Sequence, residues 1–499
     1  MPAKGSEPMG KGAGAGSGRR VVDRLPPWLG ALSAGCWLIV VLGLLGGGVA
    51  LWGRGGSESE IGLWVFSPMH QRMYEPIIED WNAAEEEDGD DPSDRARVSQ
   101  SLLGRPALRQ RMLSGFFGGL PTADLIEVER TIAGQLFAGP LDAVGFVDLT
   151  DRIREEGLLE AMPPAAFSPW TSRGRIFGLP HDVHPVMLGV RMDLIEDAGL
   201  SIEGVETWED FAAALRPLMA DEDGDGEPDR YLLGLWPGTL DRDKIEMLLL
   251  QGGTGLFAAD GSPVIASDAN ARVLAQMVSW CVGPNRFAAD VPDFQPAGNQ
   301  LKVDGYAIAF FMPDWMCNYW KNELQMMSGT LELMPLPALE PGGRRTSVWG
   351  GTMLGIPKTA TDVEAAWAFA KRLYLSPELA RAWYTEGDII TPIRTHWDDP
   401  VFDTPDPYFR GQAKGRLYVQ HASQVPTRHA SPFTPTAIQR VADAATGLLR
   451  YAQDNDIYEV SSLEPEAKRR LEIAQTSVER LMDANLFLGE AEAASELAP

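Results

Sequence analysis

Residues 186–190, Val-Met-Leu-Gly-Val, carry no polar side chain, and Asp182 stands just ahead of them after a Gly178-Leu179-Pro180 turn. An unbroken apolar run suits a strand buried on both faces, not one with a wet side. Such strands belong to sheets covered by helices on both faces, so the rest of the chain must supply the helices. It does: 61–66, 98–103 and 124–128 are predicted strands, separated by predicted helices over 71–87 and 107–117. That alternation predicts parallel β-α-β units, whose ligands sit at the carboxyl ends of the strands. The residues there are 67–70 and 127–130, with Trp64 inside the first strand near its end. Further on, Thr207 and Asp210 form a capping box that starts a helix. Predicted helices follow over 268–280, 314–321, 365–374 and 377–384, and predicted strands over 305–311 and 353–356.

A chain of 499 residues is too long for one core, so two or more domains are expected. A net charge of −27 argues against a nucleic-acid partner, since nothing could neutralise phosphates over a whole face. Residues 1–25 are basic and rich in small residues, and are expected to be a disordered cytoplasmic tail. Within 26–53, Trp28 to Trp52 contains no charged residue, and about 20 apolar residues suffice to span a bilayer. Three readings stand: an uncleaved transmembrane helix, a cleaved signal segment, or a lipid anchor at Cys36. The basic flank precedes the run, so each reading puts the C-terminal body outside the cytoplasmic membrane. Cys36, Cys281 and Cys317 make neither a disulfide framework nor a metal cluster by spacing.

Several short patterns follow one another along the body. Gly178-Leu179-Pro180-x-Asp182-Val183 precedes the apolar strand; Arg191-x-Asp193-Leu194, Ala198-Gly199-Leu200 and Thr207-Trp208-Glu209-Asp210-Phe211 come after it. Pro121-Thr122-Ala123-Asp124-Leu125 and a degraded Lys302-to-Ile308 segment flank these. Met334-Pro335-Leu336-Pro337, Trp349-Gly350-Gly351, Ala365-Ala366-Trp367-Ala368-Phe369 and Thr391-Pro392-Ile393-Arg394 complete the series. In this order they resemble the family 1 extracellular solute-binding proteins of ABC importers, the maltose-binding-like carbohydrate binders. The resemblance implies an α/β, two-lobed type 2 periplasmic-binding-protein fold with hinge crossovers. It implies lobe one at 60–178 plus 303–355 and lobe two at 184–300 plus 356–455, with crossings near 179–183, 301–305 and 355–358. Residues 456–499 would add one helix, 465–482, and a disordered tail. Cys281 and Cys317 would fall in different lobes as free, buried thiols.

The function implied is that of a receptor that closes two lobes around a small ligand, a mono- or oligosaccharide, and presents it to ABC permease subunits. The chain has no Walker-type phosphate loop, so the ATPase must be another chain. No cofactor is required, and no Gly-x-Ser-x-Gly elbow is present, so no enzyme is expected. Other readings are a membrane-anchored sensing ectodomain, a binder of a non-sugar solute such as glycerol phosphate, and an extracytoplasmic glycosidase. The last needs two carboxylates across one bond, and no such pair stands out.

A sugar cleft needs aromatic faces and a few carboxylates or amides. The candidates are Trp64, Trp236, Trp315 and Trp349, with Gly350 beside the last, and Glu129, Asp182, Asp314 and Arg394. Core packing is the alternative role for the tryptophans, and a cap or structural ion pair for Asp182. Asp221, Asp223, Asp225 and Asp229 have calcium-loop spacing with Gly226 at the turn, which suggests a structural Ca2+. Leu232 stands where the loop's bidentate acid belongs, and a solvated acidic loop is the other reading. His181 and His184 make a His-x-x-His pair with no third metal ligand nearby in sequence.

Overall fold

The computed structural model describes residues 60–83, 96–221, 223–236 and 241–485. The predicted span at 26–53, the acidic run at 85–91 and the tail after 485 lie outside the described residues. Among the described residues no helix is long and apolar enough to cross a membrane.

The strands used below are β1 (Glu60–Val65), β2 (Arg97–Leu102), β3 (Leu125–Glu129), β4 (Leu179–Pro180), β5 (Val186–Arg191), β6 (Tyr231–Gly234), β7 (Ala288–Ala289), β8 (Ala307–Pro313), β9 (Leu331–Pro335) and β10 (Thr352–Gly355). They form two five-stranded sheets, in the orders β2-β1-β3-β10-β4 and β9-β5-β8-β6-β7. β1 pairs in parallel with β2 and β3, as the strand–helix alternation predicts. All six residues of β5 are buried, which is what an apolar run on a two-sided sheet requires. The Thr207–Asp210 capping box is present.

The first sheet organises lobe one. Helices Pro68–Ala83, Val363–Tyr374 and Pro377–Gly387 cover one face, burying Leu63, Trp367, Phe369 and Trp383 together. Helices Arg105–Gly118 and Arg130–Leu136 cover the other, around Ile126, Val128 and Phe146. The second sheet organises lobe two. Its core takes in helices Arg242–Gln251, Asp268–Cys281, Asp314–Glu323, Thr434–Asp454 and Val460–Asp483. The last is the packed C-terminal helix that the sequence predicts, somewhat longer than 465–482.

The lobe boundaries differ from those implied by the resemblance. β8 and β9, expected in lobe one as part of 303–355, pair with β5 in lobe two. The helices over 363–387, expected in lobe two, pack on the first sheet. The physical reason is that an apolar run such as β8, buried at every position, satisfies either sheet. Its partner is chosen by long-range pairing, which no local pattern encodes. Crossings expected near 301–305 and 355–358 fall inside single lobes. The chain instead crosses within 181–185, within 336–351, and near 389–397, where buried residues pass from one core to the other. Cys281 and Cys317, expected in different lobes, both lie in the lobe-two core, and both are free.

The first two crossings run side by side. Pro185 bridges Val348 in antiparallel fashion, and Val186 N–H donates to Ser347 O at 3.2 Å. His181 N–H donates to Thr352 O at 3.3 Å. The result is a short two-stranded ribbon joining the lobes.

Candidate functional site

A cavity of about 670 Å3 opens where the ribbon meets the carboxyl ends of β1, β3 and β8. Lobe one contributes Phe66, Ser67 and His70 after β1, and Glu129, Arg130 and Thr131 after β3. Lobe two contributes Trp315, Asn318 and Tyr319 from the helix that follows β8. The ribbon contributes His181, His184 and Trp349 to Thr352. Residues at strand ends meet here because both sheets aim their carboxyl edges at the gap between lobes.

Trp315 is fixed by its indole Nε1–H, which donates to Trp349 O at 2.7 Å. The two indoles meet edge to face, with centroids 6.0 Å apart. Phe294 stacks against Trp315 with an interplanar angle of 18° and is half exposed, at φ 58. An exposed aromatic held in a left-handed conformation is unusual, and the sequence reading missed it. The signal was present as a lone Phe in the polar 293–299 segment. Tyr319 stands against the same ring at 5.0 Å.

Of the sequence candidates, Glu129, Trp315, Trp349 and Gly350 line this cavity. Glu129 also caps the helix after β3, accepting from Thr131 N–H at 3.2 Å. Gly350 has φ 135, and a Cβ there would lie 2.2 Å from His184 Cδ2. The glycine therefore admits the His184 ring, not only the contents of the cavity.

The other candidates lie elsewhere. Trp64 faces a separate surface hollow with Gln110 and Leu120, because strand alternation turns it under the Arg105–Gly118 helix, away from Leu63 and Val65. Trp236 packs on the lobe-two core, its N–H donating to Asp241 at 3.1 Å. Arg394 is exposed and donates to Glu160 O at 2.9 Å. Asp182 and Asp314 are buried behind the cavity wall. Asp221, Asp223 and Asp225 bring their carboxylates within 4.8 Å of one another on an exposed loop. Asp221 there accepts from Gly224 and Gly226 N–H at 2.7 and 2.9 Å, and Asp229 N–H donates to Ala220 O.

Two ionic groups join the lobes beside the cavity. One runs through the ribbon. His184 Nε2 lies 3.1 Å from Asp182 Oδ2, and its Nδ1 lies 2.7 Å from Asp314 Oδ1 at the start of a lobe-two helix. Asp314 Oδ2 accepts from Ile390 N–H at 2.7 Å. Burial alone would lower the His184 pKa, but the two carboxylates outweigh it and raise it to about 10. Burial would likewise raise Asp182, yet His184 and then His181 hold it well below the ordinary carboxylate range. This is a buried imidazolium between two carboxylates, and His184 adopts it at φ 45.

The second group is at the rim. Arg130, in lobe one, pairs with Asp243 and with Glu246 at 2.9 Å, both on a lobe-two helix. Arg428 lies beside it, donating to Gly350 O at 2.7 Å. Burial, then the neighbouring Arg130 charge, lowers the Arg428 pKa to about 10.

Comparisons with known proteins agree with this architecture. Residues 104–378 match the family described as bacterial extracellular solute-binding protein. The arabinooligosaccharide-binding protein of Halalkalibacterium halodurans is 22% identical over 383 residues, covering 76% of this chain and 82% of that protein. The lactose-binding protein of Rhizobium radiobacter is 23% identical over 334 residues, covering 66% and 74%. Among solved structures, the sugar-binding protein MalE from Xanthomonas citri superposes with a TM-score of 0.64 at 15% identity, covering 85% of this chain and 99% of that one. At that identity the last likeness speaks to the two-lobed periplasmic-binding-protein fold alone. With more than half of its length matched by the family, the chain belongs to the bacterial extracellular solute-binding proteins.

Proposed function

We propose that this protein is the extracytoplasmic substrate-binding receptor of an ABC importer, closing its two lobes around an oligosaccharide. The observation that carries this reading is a cavity of about 670 Å3 walled by both lobes and by the ribbon between them. Its composition suits a sugar: Trp315, Trp349 and Tyr319 offer faces for C–H surfaces, while Glu129, Arg130 and Asn318 offer hydrogen-bond partners for hydroxyls. Relatives named for arabino-oligosaccharides and lactose support the same ligand class. Phe294 extends the aromatic surface outward from Trp315.

The test is a thermal-shift and calorimetric screen of the full chain against arabino- and malto-oligosaccharides, lactose, amino acids and glycerol phosphate. At a ligand concentration of about 100 Kd the expected stabilisation is about 2.7 kcal/mol. A response to glycerol phosphate or an amino acid and to no carbohydrate would overturn the ligand class. Trp315→Ala and Trp349→Ala should each weaken sugar binding about tenfold, or about 1.4 kcal/mol.

Two further parts of the reading rest on sequence. Residues 28–52 anchor the body to the membrane, supported by the absence of charge over that run; release of the full-length protein by alkaline carbonate would refute it. The loop at 221–229 holds a structural Ca2+, supported by its spacing and by three converging carboxylates. Leu232, at the position of the missing acid, is buried in β6, so a change in melting temperature on adding calcium is the deciding measurement.

A further inference from the structure

The sequence offers His181-x-x-His184 as a metal-binding pair lacking a third ligand. The fold supplies other partners, and they choose His181. β4 and β3 lie either side of β10, with Leu179 and Glu127 both paired to Leu354. Residue 181 follows Leu179 by two positions and therefore returns to the face that carries Glu127. The helix Pro68–Ala83 covers that face and brings His70 to the same point.

His70, Glu127 and His181 each present one ligand atom, and these atoms lie within 4.8 Å of one another. Their exposures are 5%, 0% and 2%. Both ring nitrogens of His181 are buried without a hydrogen-bond partner, although Nδ1 lies 2.8 Å from Asp182 Oδ2. A buried imidazole with unpartnered nitrogens has a lone pair to give to a metal, and a carboxylate this close to the ring can orient it as second-shell carboxylates orient metal-bound histidines. Glu127 is equally well oriented: Tyr74 Oη–H and Tyr374 Oη–H donate to its Oε1 at 2.5 and 3.2 Å, and Phe66 N–H donates to its Oε2 at 3.3 Å. His70 Nδ1 lies 2.8 Å from Glu127 Oε1.

We propose that His70, Glu127 and His181 form a site for a divalent transition metal of the zinc class, at the inner end of the cavity and at the root of the ribbon. Two imidazoles and one carboxylate are a donor set for Zn2+ or Co2+, and not for the hard cations that take oxygen cages. His70 and His181 both line the cavity, which provides the route in and the fourth position for water. On binding, the His70–Glu127 contact is exchanged for bonds from both groups to the metal, and contraction to distances of about 2.0–2.2 Å draws the three side chains together. The metal would join a lobe-one helix and strand to the crossing segment, and stiffen the ribbon at one end.

The experiment uses the full chain, stripped with EDTA and titrated with CoCl2 under visible absorption and with ZnCl2 in a calorimeter. One equivalent of Co2+ should bind with the intense ligand-field bands of a tetrahedral site, and Zn2+ should displace it. His70→Asn and His181→Asn should each lose the spectrum, and Asp182→Asn should weaken binding about 10- to 100-fold by releasing His181. Asp223→Asn, on the exposed acidic loop, should leave the Co2+ spectrum as it is. The proposal is overturned if the wild-type chain gives no ligand-field spectrum, a result that needs no variant. It is equally overturned if binding survives both histidine substitutions in proteins of native circular dichroism, or vanishes with Asp223→Asn.

Discussion

Two of the places where charge crosses between the lobes flank the cavity, and the two behave as opposites. Asp182, His184 and Asp314 lie in and behind the ribbon, all buried, in segments the backbone itself holds together. Arg130, Asp243 and Glu246 meet at the rim, where no covalent path holds them and Asp243 is half exposed. Separating the lobes would wet the rim charges. It would leave the ribbon charges dry. An ion pair that can be rehydrated by a domain motion adjusts an equilibrium between conformers; one that cannot be rehydrated contributes to whether the protein folds at all.

The largest effect should come from breaking the buried partnership. Asp314→Ala removes one of the two carboxylates that hold the His184 imidazolium and leaves the buried Ile390 N–H without its acceptor, and should cost about 3 kcal/mol of stability, read as a large drop in melting temperature. An unchanged melting curve would show that the ribbon charges are not a folding element. Next in size is a pH effect on the same group. The His184 pKa rises from 6.5 to about 10 on folding, so its contribution is complete below pH 6.5 and is lost as pH climbs toward 10. Melting temperature should therefore fall across that window, and His184→Gln should flatten the fall. Asp182, shifted down, acts on the other side: its contribution is present above pH 3.8 and is lost only at more acid values.

A smaller and different response is expected at the rim. Arg130→Ala should leave the melting temperature of the ligand-free protein within a few degrees while weakening ligand binding about tenfold, about 1.4 kcal/mol. Small-angle scattering should show a larger radius of gyration. If Arg130→Ala instead unfolds the protein as Asp314→Ala does, the distinction between the two places collapses. The smallest effect should be that of Trp64→Ala. Its side chain lies away from the cavity, so affinity should change less than twofold, about 0.4 kcal/mol.

The same contrast explains what could be read from the chain beforehand. Strands β1, β3, β5 and β8 and most helices are legible because their apolar periodicity is local. The assignment of β8 and β9 to a lobe is not, since either sheet would have buried them. The helix Thr434–Asp454 also escaped, although its buried face, Val441, Leu448 and Leu449 among alanines, repeats at helical spacing. At the site, Trp315, Trp349 and Glu129 were recoverable from their place after strands or beside glycines. Trp64 was misplaced by one step of strand alternation, which exchanges the faces of a sheet. Asp182 lies at a crossing, but Asp314, on the other side of His184 from it, and His70, against the adjacent His181, come from segments far apart in the chain.

The paired crossings also have a mechanical consequence. Segments 181–186 and 346–352 form a ribbon two strands wide, cross-linked by Pro185–Val348 and by backbone hydrogen bonds. A ribbon of that shape is soft to flexing out of its own plane and stiff to in-plane shear, because only shear must break the hydrogen bonds between its strands. It acts as a leaf spring with one compliant axis. With the third crossing near 389–397 also tying the lobes, bending about that axis is the motion the connections resist least, and an angle between the lobes is what would distinguish an occupied receptor from an empty one.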